Sequence, residues 1–219
     1  MGTEEDCEIH IKSICLLVRK CMINEQVKTA QKKALMISPI KYPIKSTRLF
    51  VFKIDDKTIG RSEIFSLGSY IPNKVIIGIL ENENYNGSFK TNPFQFESHD
   101  IKKLNLCIDG YNNEININNN KDDSIEGYHS LCESLNFYGS DKSSITHEEY
   151  KNGNYLFAFN LNPDKGCSGQ FNPIRTGTIE LSLELKDSSE KKLRVIVFCE
   201  YDNQLTIDSK SEVEFAHNI

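Results

Sequence analysis

Five histidines and seven cysteines are the side chains of this chain best suited to hold a metal or attack a substrate. His129 and Cys132 lie three apart in a stretch that reads as helix, a legal spacing for two metal ligands. Zinc takes three or four protein ligands, and no second pair joins them, so the preferred reading is a packed thiol beside a surface imidazole. His147, Glu148 and Glu149 imitate an acid/base cluster, but Thr146 and Glu149 have the spacing of a capping box, which gives Glu149 a structural task. His99-Asp100 follows a turn-rich segment and has no nucleophile to serve. Gly166-Cys167-Ser168-Gly169 sets a thiol between glycines, and Pro163 and Pro173 on either side make it a loop rather than a reactive site. Tyr155, Phe157 and Phe159 could form a base-stacking platform, yet only Lys151 and Lys165 lie near them, so a core role is preferred. There is no G-x-S-x-G, Walker loop or G-x-G-x-x-G. The expectation is a protein that is not an enzyme, with no catalytic, cofactor-binding or metal residues.

What positions these side chains is mostly strand. Thr178 to Lys186 alternates strictly, with Ile179, Leu181, Leu183 and Leu185 against Glu180, Ser182 and Glu184, the pattern of a half-buried strand. Leu193 to Tyr201 is β-branched and apolar on both faces, so each face needs cover. Arg48–Ile54, Lys74–Leu80, Ile101–Ile108, Tyr155–Leu161 and Gln204–Ile207 also read as strands, and residues 8–23 as one or two more. Asp109-Gly110 is a hairpin turn signal. Residues 111–123 are Asn-rich and predicted to be a mobile loop tip. Segment 81–100 is a long polar connection with turn signals at Asn86-Gly87 and Asn92-Pro93, packed through Phe89, Phe94 and Phe96. Helices are predicted from the cap Asn24 to Met36, with Val27, Ala30, Ala34 and Leu35 as the apolar side, and from Ser124 to Tyr138, with Ile125, Tyr128, Leu131, Cys132 and Leu135 on one face. Pro39 and Pro43 end the first. Strands that do not alternate with helices, joined by long uneven loops, predict an all-β sandwich, Greek-key or jelly-roll, with short helical inserts in loops, a single domain over residues 1–219.

The totals narrow the setting. No apolar run is long enough to cross a membrane, the N-terminus is acidic rather than signal-like, and an odd number of scattered cysteines fits reduced thiols. A protein that is intracellular or in a virion, in nucleus or cytoplasm and not secreted, is expected, with the Asn86 sequon unused. Net charge is −5, which argues against a general nucleic-acid binder. The charge is uneven: residues 12–48 carry nine Lys/Arg and one acid, a local +8 against −13 for the rest. Lys28, Lys32 and Lys33 mark the basic surface there. The bland reading is a solvated helix face; the sharper one is a face toward an acidic neighbour or, non-specifically, nucleic acid.

Several blocks in order carry a resemblance: K-Y-P-I at 41–44, P-N-K-V-I-I-G-I-L-E-N-E-N-Y-N-G-S-F-K-T-N-P-F-Q-F at 72–96, L-C-I-D-G at 106–110, Y-L-F-A-F-N-L-N-P-D at 155–164, F-N-P-I-R-T-G-T-I-E-L-S-L-E-L at 171–185 and V-I-V-F-C-E-Y-D-N-Q-L-T-I-D at 195–208. Together they resemble the major capsid protein (hexon) of adintoviruses and Maverick/Polinton elements, over about residues 8–210. The resemblance implies a structural protein without cofactors, one jelly roll of a double jelly-roll subunit that forms trimeric capsomers of a virion with itself and other capsid proteins. The family chain carries two jelly rolls, and this one resembles the C-terminal one. A truncated or endogenous viral element, an excised fragment and a domesticated host gene all fit that length. Candidate contact residues are Phe89, Asn92, Pro93, Phe94 and Phe96 in the long loop, and Arg194, Ile196 and Phe198, which share the second face of the Leu193–Tyr201 strand. Another jelly roll or subunit would cover that face; an internal helix is the rival cover. The alternative function is a single jelly-roll binding module of a host, holding a protein or carbohydrate partner on its loops.

Overall fold

The alternation at 179–185 is realised as a strand whose Ile179, Leu181, Leu183 and Leu185 are all buried while the residues between them are half-buried. A computed structural model describes residues 10–54, 62–87, 90–99, 101–116, 124–135, 145–165, 171–185 and 192–217. In chain order the elements are α1 (Glu25–Ile37), β1 (Ile40–Ile54), β2 (Ser62–Ser66), β3 (Tyr70–Ile71), β4 (Lys74–Glu81), α2 (Asn82–Asn86), β5 (Ile101–Ile108), β6 (Tyr111–Asn116), α3 (Ser124–Ser134), α4 (His147–Lys151), β7 (Leu156–Asn160), β8 (Arg175–Thr176), β9 (Ile179–Leu185), β10 (Leu193–Ile207) and β11 (Val213–Phe215).

Two antiparallel sheets face each other. Sheet A runs β1-β10-β4-β7, with β11 added to the end of β10; sheet B runs β2-β9-β5-β6; β3 and β8 form a small clasp. Numbering only the eight sandwich strands from first to eighth, the orders are first-eighth-third-sixth and second-seventh-fourth-fifth. The pairs first–eighth, second–seventh, third–sixth and fourth–fifth nest one inside the next, which is how a long antiparallel hairpin wraps into a jelly roll. The core lies between the sheets: Val75, Ile77, Ile79, Phe157, Val195, Val197 and Cys199 from sheet A meet Leu104, Leu106, Ile115, Leu181 and Leu183 from sheet B. At one open edge Phe52 of β1 stacks on Phe65 of β2 with ring centres 4.6 Å apart. At the other, α3 lies along β7. Ser130 Oγ donates to the Ala158 carbonyl there, which covers a sheet edge that would otherwise be bare. Gly127 is what lets α3 approach, since a Cβ there would stand 2.6 Å from Tyr150 Oη.

Several expectations change. Residues 10–24 form no strand and are exposed throughout, because no partner strand lies beside them. The strand expected from Arg48 begins at Ile40; Pro43 is tolerated because β1 is an edge strand. Gln204–Ile207 is not separate but the continuation of β10. The Asn-rich run is a strand rather than a loop at Tyr111–Asn116. Asp109 and Gly110 both take positive φ (48° and 86°), as a two-residue primed turn requires, and so fold the run back onto β5, where Ile115 reaches the core. Residues 117–123 lie outside the described residues. The α3 helix ends at Ser134, and its buried side is Ser124, Gly127, Leu131 and Ser134, with Ile125 54% exposed. The long segment 81–100 opens with the unexpected α2, and Phe94 is exposed rather than packed. Asn24 does cap α1, its Oδ1 accepting from the Gln26 amide at 3.0 Å, yet no residue of α1 is buried.

Candidate interaction surface

The register defines what each sheet shows to the outside. On sheet B the outward residues are Glu180, Ser182 and Glu184 of β9, Lys103 and Asn105 of β5, and Glu114 of β6. Ion pairs Lys102–Glu184 (2.5 Å) and Lys103–Glu114 (2.6 Å) and a hydrogen bond from Asn105 Nδ2 to Asn112 Oδ1 (3.0 Å) make a wet face, with Ile64 as its apolar exception. Sheet A is different. Its outward rows across β1, β10 and β4 are Leu49–Phe198–Ile76 and Val51–Ile196–Gly78, the second continuing to Leu156 of β7. Leu49 is 60% exposed, Gly78 is buried, and the others are half-buried. A contiguous apolar sheet face bordered by charge is the mark of a protein–protein contact.

Part of this face is covered from within. Arg194 donates from Nε to Asn82 Oδ1 (2.7 Å), and its guanidinium lies over the Tyr85 ring, 5.1 Å from the centre. Thus α2 closes one end, and Leu80 beneath it is 1% exposed although it is outside the main core. The Phe96 ring closes over Gly78: a Cβ at that glycine would stand 2.7 Å from the phenylalanine ring. The loop is pinned by Phe96 N–H to Gly153 O (2.8 Å) and Tyr155 N–H to Phe96 O (3.1 Å). Of the candidate contacts, Ile196 and Phe198 therefore share one face, Arg194 and Phe96 border it as internal cover, and Asn92, Pro93 and Phe94 sit on the exposed loop beyond, where Asn92 Oδ1 accepts from Phe94 N–H (3.0 Å). Phe89 lies outside the described residues. Lys28, Lys32 and Lys33 are exposed on α1. The sequence reading missed Leu49, Val51, Ile76 and Leu156, which join the face only through strand pairing; the apolar character of Arg48–Ile54 on both faces was the available signal.

The chemistry-bearing residues are placed as follows. Glu149 closes the expected capping box with Thr146, and those hydrogen bonds from the Thr146 backbone and side chain lower its carboxyl pKa. His147 Nε2 lies 2.8 Å from Ser124 Oγ, a nucleophile–base spacing that a separation of 23 positions hid from the sequence. Ser124 is 9% exposed and the Tyr128 ring packs 5.2 Å from the imidazole, so the pair ties the starts of α3 and α4 together. No group of three or more metal-ligating side chains exists among the described residues. No helix among them is long and apolar enough to cross a membrane. Cys199 is buried in the core, which pushes its thiol up to about 12. Cys167 and Asp100 lie outside the described residues.

No protein-family model matches the chain. An uncharacterized protein of Caenorhabditis elegans, F54H12.2, is 26% identical over 178 residues, which covers 77% of this chain and 42% of that protein. A chain in the cryo-EM structure of the Sputnik virophage superposes with a TM-score of 0.51 at 16% identity, over 83% of this chain and 39% of that one. The mavirus major capsid protein superposes less closely, with a TM-score of 0.42 at 12% identity over 83% of this chain and 42% of that one. The chain thus spans about two-fifths of the length of each. The Sputnik likeness, with the strand order, shows that this chain carries the jelly-roll fold found in viral capsids.

Proposed function

We propose that the chain is a structural, non-enzymatic subunit of a capsid-like shell, and that the outer face of sheet A is where it meets another jelly roll. The observation that carries this is the contrast between the sheets: Leu49, Val51, Ile76, Ile196 and Phe198 face outward on one, paired charges on the other. Burying the first gains apolar area at no polar cost, whereas burying the second strands ion pairs. On this reading the chain supplies one jelly roll of a double jelly-roll subunit of the adintovirus or Maverick/Polinton kind, and three subunits build a capsomer. Light scattering after size exclusion, over a concentration series, tests it. A trimer or larger closed assembly supports the reading, and a folded monomer at every concentration contradicts it. A host binding module is the second reading. It is favoured by an open cleft of about 380 Å³ lined by Phe171, Pro173, Gln204, His217 and the 7% exposed Asp202, whose Oδ2 accepts from Asn172 N–H at 2.7 Å. A glycan or peptide that raises Tm, with the effect lost in Phe171→Ala, would support that instead.

A further inference from the structure

Among the described residues Asp202 is the one buried carboxylate; the other buried polar residues are Asn73, Ser124, Ser134 and Asn203. It stands where β10 changes partner. On one side β10 keeps β1 throughout. On the other it pairs with β4 as far as Glu200 and with β11 from Leu205, so residues 201–203 have no described strand there. The chain around Asn172 fills part of that gap, and its backbone N–H donates to Asp202 Oδ2 at 2.7 Å. Asp202 Oδ1 accepts no hydrogen bond from the described residues, and the carboxylate lines the open cleft of about 380 Å³. A carboxylate 7% exposed with one oxygen idle is costly to keep unless a donor reaches it from outside.

The walls of the cleft are fixed in advance. Asn172 Nδ2 donates to Asn162 Oδ1 (3.2 Å) on one side. Asn203 holds the other: its Nδ2 donates to Ser46 Oγ (3.0 Å) and to the His217 carbonyl (2.9 Å), and its Oδ1 accepts from Gln204 N–H (2.8 Å). A site held this way loses little entropy when it binds. Charge selects what enters. The Asp202 carboxylate repels an anion, and Lys41, which lines the same cleft, repels a cation. A neutral molecule rich in hydroxyl groups suits both: an ionised carboxylate accepts hydroxyl protons in strong bonds, and an ammonium donates to hydroxyl oxygens. Phe171, 44% exposed, and Pro43 and Pro173 supply an apolar wall. The C–H face of a sugar ring packs on such a wall while its hydroxyls reach the carboxylate. The volume lies at the small end of ligand sites, about 300–1,000 Å³, which suits a saccharide end rather than a folded partner.

We propose that this cleft binds a neutral sugar, Asp202 accepting from a ring hydroxyl and Phe171 packing on the C–H face. The proposal rests on the binding-module reading and narrows it to carbohydrate. Along β10 the ion-paired Glu200 stands between Asp202 and Phe198, so the outer-face contact of sheet A does not need it. The test is calorimetric titration of the full chain with methyl α-mannopyranoside, methyl β-galactopyranoside and N-acetylglucosamine, and with Nα-acetyl-lysine amide as the cationic rival. At least one sugar is expected to bind with a Kd on the order of 1 mM. Asp202→Asn should weaken it about tenfold, because Asn172 N–H claims the amide oxygen and turns the NH2 group toward the cleft. Phe171→Ala alters an exposed ring, so the fold should survive while sugar binding weakens by a similar factor. Both variants are checked for native circular dichroism. Sugar binding that survives in both would put the site elsewhere and overturn the proposal. Binding of the lysine amide but of no sugar overturns the carbohydrate and leaves a binding module. No binding by any of the four overturns both.

Discussion

Leu49→Ala isolates the outer face of sheet A. The side chain sits on the edge strand β1 in the row with Phe198 and Ile76, and 60% of it is exposed in the single chain. Full burial of a leucine is worth about 1.5–3 kcal/mol, so covering the exposed three-fifths contributes about 1–2 kcal/mol to an assembly contact. Its removal should weaken each contact roughly 5- to 30-fold in Kd. The fold itself should hardly notice, because the bulk of the side chain already faces water. Sedimentation over a concentration series gives the Kd, and urea unfolding of the dissociated chain gives its stability. A Kd that moves less than twofold while the fold is intact would refute the assignment of this face. A loss of several kcal/mol in monomer stability would show instead that Leu49 is packed within its own chain.

Gly78→Ala places a Cβ 2.7 Å from the Phe96 ring and 3.0 Å from Leu156, so it should displace the covering loop and cost about 1–3 kcal/mol, read from the urea midpoint. A neutral result would mean that Phe96 is not fixed there. In β9, Leu181→Ala removes a fully buried side chain and should cost about 2–5 kcal/mol, whereas Glu180→Ala on the wet face should stay within about 0.5 kcal/mol. Equal effects would contradict the register. Stability should also fall in alkali. The Cys199 thiol is raised from 9.0 to about 12 by burial, so the folded state keeps a proton that the unfolded chain loses first. That contribution is complete below pH 9 and lost as pH rises through 12, on the order of 1 kcal/mol being gone by pH 10. Cys199→Ala, compared with the wild type from pH 8 to 10, should flatten the slope.

The core strands were legible because burial writes itself into composition: Ile179–Leu185 alternates in space as it does in sequence, and Leu193–Cys199, apolar on both faces in sequence, alternates in burial. The resemblance supplied the jelly-roll wrapping, which local pattern alone could not. Three things were hidden, each for a physical reason. Tyr111–Asn116 has poor strand propensity and is a strand only because the Asp109-Gly110 turn returns it to β5. Residues 10–24 have strand-like composition but no partner, and a strand without a ladder does not form. Half of the candidate face was visible as Arg194, Ile196 and Phe198, because one strand carries them. Leu49, Val51 and Ile76 join them through long-range pairing, which no local window reports.

Imaging the assembled protein by cryo-electron microscopy, at a resolution that traces the strands, tests the central claim most directly. The account predicts that Leu49, Ile196 and Phe198 of sheet A lie against a neighbouring jelly roll while Glu180 and Glu184 of sheet B face solvent. Particles joined through sheet B, with the apolar face of sheet A bare, would contradict it.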